Sequence, residues 1–124
     1  MAREIPEGTA NEIKTEVTKE MGAAHLANPV LSTPSMIGLM EGVCLRAMVP
    51  YLDEGETSVG TEVCVTHDAA LPAGQTATVR ARFRGMEGRR YVWEVEAVGP
   101  DGRKLGAGTH KRAVINPNRQ RASS

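Results

Sequence analysis

The chain has 124 residues, and its 15 basic and 15 acidic side chains cancel to a formal charge of zero. That length suits one domain, residues 1–124, with a single core, and the charge balance argues against a general nucleic-acid binder, which needs a net basic face to displace counterions. No apolar run approaches a membrane span, and the charged start Met1-Ala-Arg-Glu-Ile-Pro lacks a signal-peptide core; a cytoplasmic protein without membrane contact is expected.

The stretch Thr9 to Lys19 alternates, with Ile13, Thr15 and Val17 on one side and Glu12, Lys14 and Glu16 on the other, the mark of a half-solvated strand. Gly22 to Pro29 reads as a loop or short irregular helix. Thr33-Pro34 then makes a helix start, with Thr33 as the cap and Pro34 at the first helical position. The run from Ser35 to Val49 is apolar on nearly every side until Pro50 stops it, so the helix is expected to be enclosed all round. From Pro34 to Val49 it spans roughly 24 Å, enough to cross about five strands. Gly38 and Gly42 lie one turn apart and suggest a flat side for a sheet.

Four further strands follow. Ser58 to Ala69 is expected to carry Val59, Thr61, Val63, Val65 and His67 on one face, before Pro72-Ala-Gly74 turns the chain. Thr76 to Arg84 points Ala77, Val79, Ala81 and Phe83 inward and arginines outward. Gly85-Met-Glu-Gly88 reads as a hairpin connection, Arg90 to Val98 as the next strand, and Arg103 to Ile115 as the last, after Gly99-Pro-Asp-Gly102. Residues 116–124 read as a loose polar tail. Short connections imply an antiparallel meander: an α+β fold in which a sheet of about five strands wraps one long helix, leaving a face or an edge for a second copy.

Three residues stand out. Glu41 lies mid-helix among Ile37, Leu45, Gly38 and Cys44 with no basic residue a turn away, so it needs a partner from elsewhere or a raised pKa. It marks either a functional site or one wet edge of the helix. His67 ends an inward strand face, as a core histidine or as a general base beside an orienting group. Thr33 is a cap, yet its hydroxyl and the free amides beside it at a positive helix end suit an oxyanion or an activated water. Gly60 interrupts a strand, which marks a bulge or close backbone approach. Lys111 and Arg112 either hold phosphates or are solvated, and His110, facing the same way as Arg112, is read as structural or exposed. Cys44 and Cys64 form no CxxC or Cys/His cluster, which argues against a metal site; both are read as small buried apolar residues. With 3% aromatic residues the chain has little with which to stack bases.

The segments Met36–Leu52 (MIGLMEGVCLRAMVPYL), Ser58–His67 (SVGTEVCVTH), Glu87–Arg90 (EGRR) and Gly108–Ile115 (GTHKRAVI) closely resemble the fluoroacetyl-CoA thioesterase family of hotdog-fold proteins. The resemblance runs in register from Thr33 to Ile115; the first thirty residues match poorly. It implies a homodimeric acyl-CoA hydrolase in which Thr33, Glu41 and His67 take the places of the family's catalytic threonine, glutamate and histidine. It also implies that Gly60 offers a backbone amide near the substrate carbonyl and that Arg112 contacts the CoA portion. The family pattern has a phenylalanine-bearing lid before the helix, where this chain has Ala23-Ala-His-Leu-Ala-Asn-Pro29, and Pro34 replaces a glycine. A short acyl-CoA other than, or broader than, fluoroacetyl-CoA is therefore expected, with coenzyme A present only as part of the substrate and no other cofactor. Glu41 would act as nucleophile or as base toward water across the dimer interface. The rival readings are a non-catalytic acyl-CoA-binding domain and, less well matched, an enoyl-CoA hydratase.

Overall fold

The computed structural model describes residues 4–22, 25 and 27–117. Part of the expected lid segment, at Ala23, Ala24 and Leu26, lies outside the described residues, as does the expected loose tail from residue 118 onward. Among the described residues the main elements are β1 (Ala10–Glu16), α1 (Thr33–Met48), β2 (Thr57–His67), β3 (Thr76–Glu87), β4 (Arg90–Val98) and β5 (Lys104–Ile115). Short 3-10 turns at Lys19–Met21 and Val49–Tyr51 flank α1. The strands form one five-stranded sheet in the order β1-β3-β4-β5-β2, every neighbouring pair antiparallel.

The expected meander holds only for β3, β4 and β5. β2 does not pair with β3 but runs along the far margin of the sheet beside β5. The link after it is a crossing rather than a hairpin, and it is tied down on the way. Leu71 is buried and its carbonyl accepts from the Leu31 amide, while the Arg103 guanidinium donates to the Ala70 carbonyl. The connection expected at Gly85–Gly88 is also different: β3 continues to Glu87, and its register against β4 shifts between Phe83 and Gly85. Gly85 has φ +137°, a conformation L side chains rarely adopt, so glycine suits the bulge that bends the hairpin.

One side of α1 closes the core. Met36, Met40, Val43, Cys44, Ala47 and Met48 recur at helical spacing and are buried against Ala77, Val79, Ala81, Phe83, Trp93, Val95, Ala97 and Leu105 from the sheet. Burying each large member stabilises the fold by about 1.5–3 kcal/mol relative to leaving it in water. The unbranched methionines suit the uneven gap between a round helix and a curved sheet. Three of the four aromatics meet in tilted contacts, Phe83 lying 5.2 Å from Trp93 and 6.1 Å from Tyr91 between ring centroids.

The expectation that α1 is enclosed all round fails. Its other side is partly or fully exposed at Ile37, Gly38, Glu41, Gly42 and Leu45. A methyl group added at Gly38 or Gly42 would meet nothing within 4 Å, so these glycines do not seat the sheet. A single sheet covers only one side of a helix, and the rest of its apolar surface stays open in one chain.

The cysteines differ as well. Cys44 is buried, but Cys64 is exposed on β2. Burial pushes the Cys44 thiol up to about 12, against the opposing pull of Arg112, so almost none of it is the reactive thiolate at neutral pH. A thiol-selective reagent at neutral pH is expected to modify Cys64 alone in the folded protein and both cysteines after denaturation. Rapid modification of both in the native state, read by intact mass, would contradict this packing.

Candidate active site

The start of α1 releases a hydroxyl. Ser32, not Thr33, is the cap: its side chain accepts from the Ser35 amide at 3.2 Å. Thr33, the first helical residue, is thereby freed, and its Oγ1 lies 2.8 Å from Nδ1 of His67 at the end of β2. The other ring nitrogen of His67, Nε2, is buried within the chain without a hydrogen-bond partner. A buried imidazole nitrogen left unpaired is costly, and it leaves a lone pair or a proton available to a group from outside the chain.

A second cluster forms around Glu41, two turns along α1 and on its open side. Its partner comes from β5: Nη1 of Arg112 stands 3.9 Å from Glu41 Oε2. The Glu41 side chain is 41% exposed and that of Arg112 only 5%. The guanidinium is anchored from below, Nε donating to Ser58 Oγ and Nη2 to the Ser58 carbonyl, both at 2.8 Å. Nη1 is 3.0 Å from Nε2 of His110, whose Nδ1 is 2.8 Å from the Glu62 carbonyl. Burial lowers the pKa of His110, helped by the charge of Arg112 and opposed by the Glu62 carbonyl and by Glu41. Arg112 is lowered mainly by burial too, but an arginine remains charged at any physiological pH.

Gly60 sits where these groups converge. A Cβ built there would come within 2.6 Å of Glu41 Oε2 and 2.9 Å of His110 Cε1. No side chain fits without displacing Glu41, and the strand backbone can approach the carboxylate because position 60 has none. A register shift between Gly60 and Glu62 creates this geometry. Ser58 and Gly60 face the Arg112 cluster, and beyond the bulge Val63, opposite His110, shares that face again. The even alternation expected from Val59 to His67 is therefore broken at Thr61.

The expected site residues fall into two groups, Thr33 with His67 and Glu41 with Gly60 and Arg112. Glu41 and His67 do not meet within one chain. Along α1, Thr33 and Glu41 are about 12 Å apart, and along β2, Gly60 and His67 are separated by roughly 20 Å. Of the two readings of Arg112, phosphate holder or solvated side chain, the solvated one fails: it is 4% exposed, and each of its three nitrogens is engaged by Ser58 or His110. Lys111 points away from this cluster and is held by Glu87 at 2.8 Å and Glu62 at 3.3 Å. His110, read as structural or exposed, is buried at 1% exposure inside the cluster. Ser58 was missed. The available signal was an inward strand row carrying His110 and Arg112 where apolar residues belong, which obliges polar partners nearby. A groove on the outer face of the sheet, lined by Glu12, Arg80, Glu96 and Lys104, includes no residue of either cluster. There Arg80 is already paired with Glu12 at 2.6 Å and Glu96 at 3.2 Å.

A family model described as fluoroacetyl-CoA-specific thioesterase matches residues 13–118. A fluoroacetyl-CoA thioesterase of Streptantibioticus cattleyicolor is 56% identical over 88 residues, 70% of this chain; the match spans 62% of that relative's length. The solved structure of the fluoroacetyl-CoA thioesterase FlK superposes with a TM-score of 0.88 at 40% identity, covering 97% of this chain and 95% of that one. A thioesterase superfamily member from Thermus thermophilus gives 0.89 at 31% identity, covering 97% and 90%. The sheet wrapped around one long helix is thus a hotdog fold.

A Gly60→Ala substitution tests the packing. The carboxylate is the more movable neighbour, so the chain is expected to fold with a loss of about 1–3 kcal/mol and with Glu41 displaced from its place beside Arg112. A crystal structure of the variant with Glu41 unmoved would refute the close approach described here.

Proposed function

Because the chain belongs to the fluoroacetyl-CoA-specific thioesterase family, we propose that it hydrolyses an acyl-CoA thioester as one hotdog domain per chain, in a homodimer whose sites draw on both copies. The observation that carries this reading is the distribution of the two clusters along β2. This strand is a margin of the sheet, with Val59 and Val63 each 39% exposed, and an uncovered strand margin is a template for a second strand. Gly60 lies in the first half of β2 and His67 at its end, on either side of a point between Val63 and Cys64. Antiparallel pairing of two copies about that point brings His67 and Thr33 of one chain opposite Gly60 and Glu41 of its partner. The open side of α1 then faces the junction.

Chemistry follows from that meeting. The partner's Glu41 carboxylate either attacks the thioester carbonyl or takes a proton from a water that does. Charge developing on the carbonyl oxygen is met by the Gly60 backbone amide and the positive end of α1. When the tetrahedral adduct collapses, the C–S bond breaks and His67, oriented through Nδ1 by Thr33, delivers a proton from Nε2 to the departing thiolate. In the water route the proton held by Glu41 then passes to His67; in the direct route a water adds to the Glu41 anhydride, gives its proton to His67 and releases the acid, so both groups are restored. A thiolate is a good leaving group, so the mechanism calls on no metal or redox cofactor, and coenzyme A takes part only within the substrate. A short acyl group, not confined to fluoroacetyl, is proposed because Ala23–Pro29 offers no aromatic side chain to close over it. A cytoplasmic location belongs to the same reading, since acyl-CoA thioesters are made and consumed there. The rival, an acyl-CoA-binding protein that leaves the thioester intact, does not account for a half-exposed carboxylate held beside a fixed cation.

Release of free CoA from a panel of short acyl-CoAs is expected with the purified protein, and Glu41→Ala and His67→Ala are each expected to lower it by roughly 10²–10⁴-fold. Co-expressing the two inactive chains gives mixed dimers with one intact site, so about a quarter of wild-type activity returns if pairing is random. Tight binding with intact thioester would favour the rival. Activity in both single variants, or no recovery on co-expression, would overturn the shared site.

A further inference from the structure

We propose that His110 is a positioning residue for the reaction: it holds the Arg112 guanidinium off Glu41, so that the carboxylate feels the cation without being hydrogen-bonded to it. This rests on the hydrolase reading, in which Glu41 must present a free lone pair to water or to a carbonyl.

The hydrogen-bond inventory leaves one protonation state for His110. The Glu62 carbonyl can only accept, so Nδ1 donates to it at 2.8 Å. The Arg112 guanidinium can only donate, so Nε2 accepts from Nη1 at 3.0 Å. A neutral imidazole with its proton on Nδ1 satisfies both partners; a second proton on Nε2 would set an N–H against an N–H within a site that is 1% exposed. The groups facing His110 reinforce this. Arg112 on its own strand disfavours the imidazolium, the Glu62 carbonyl on β2 and Glu41 on α1 favour it, and burial outweighs them. Cys44, also on α1, remains an uncharged thiol at neutral pH.

The consequence falls on Arg112. Ser58 takes Nε and Nη2, and His110 takes the nitrogen that points at Glu41. The N–H that Nη1 gives to His110 fixes the guanidinium's orientation, and its second N–H is left short of Glu41, with Nη1 3.9 Å from the carboxylate, beyond the 2.7–2.9 Å typical of a charge-assisted bond. A direct guanidinium–carboxylate pair would be stronger electrostatically, but it would occupy the lone pairs that the chemistry requires and lower their basicity. Gly60 keeps the same space clear from the strand side, since a Cβ there would press on both Glu41 and His110.

The test compares His110→Leu, which removes the acceptor, with His110→Gln, which returns an amide oxygen near the position of Nε2. The readouts are kcat, KM, the acid limb of the kcat/KM profile, and the pKa of Glu41 followed by carbon NMR of its carboxylate. In the leucine variant Arg112 is expected to close on Glu41. The Glu41 pKa and the acid limb then move to lower pH, and kcat falls by roughly 10²-fold with KM little changed. The glutamine variant is expected to recover most of this. A folded leucine variant with wild-type kcat and an unmoved Glu41 titration overturns the proposal, whatever its melting temperature. If the leucine variant does not fold, nitrogen NMR of the wild type decides. An Nδ1-protonated His110 that stays neutral from about pH 8 to about pH 6 upholds the proposal, and an Nε2-protonated or titrating ring overturns it. Wild-type protein without turnover would instead remove the hydrolase reading, while the Glu41 titration still reports whether His110 holds Arg112 away.

Discussion

The molecule depends on a helix that can be covered on only one side. The sheet takes the methionine-rich stripe of α1 and, with it, most of the apolar surface the chain buries. The opposite side is left with Ile37, Gly38, Glu41, Gly42 and Leu45 unenclosed. A carboxylate on the covered side would have met the full penalty of desolvation. On the open side Glu41 keeps partial contact with water and still reaches a buried cation. The same element therefore supplies the core and the most reactive side chain, and the boundary between them is less than one turn wide.

Around that boundary the chain arranges cost and compensation locally. Arg112 is a charge in the interior, tolerable because each donor nitrogen has an acceptor or a carboxylate within reach. Ser32 takes over the cap and leaves the Thr33 hydroxyl for His67. The β2 bulge turns Ser58 and Gly60 toward β5, where one supplies acceptors and the other supplies room. None of these features is large energetically, yet each fixes the direction of a functional group.

Much of this was legible in the amino-acid sequence, and the failures share a cause. Period-two alternation and the turns between segments identified the strands, and the long apolar run identified α1, because local burial patterns leave local marks. Glu41 and His67 stood out because each broke such a pattern. Strand order was not legible: the link from His67 to Thr76 is short enough to suggest a hairpin, and only the anchoring of Leu71 and Ala70 carries it elsewhere. The bulge at Gly60 was suspected, but not that it would reverse which residues face inward, so Ser58 escaped notice and Val59 and Thr61 were assigned to the wrong row. His110 was undervalued because its importance lies in a partner on the same strand and a carbonyl on the next, neither of which has a sequence signature. The openness of Gly38 and Gly42 was hidden for a related reason: apolar periodicity reports how much of a helix avoids water, not which body covers it.

The two margins of the sheet are unlike, and this governs how far assembly can proceed. β2 offers a margin with exposed valines, whereas β1 carries Glu12, Lys14 and Glu16 on its exposed positions. Charged side chains along a border discourage another strand from docking there. The proposed strand addition at the valine border would use that border up and leave charged borders at both outer limits, so growth would terminate after one step instead of propagating into a fibril.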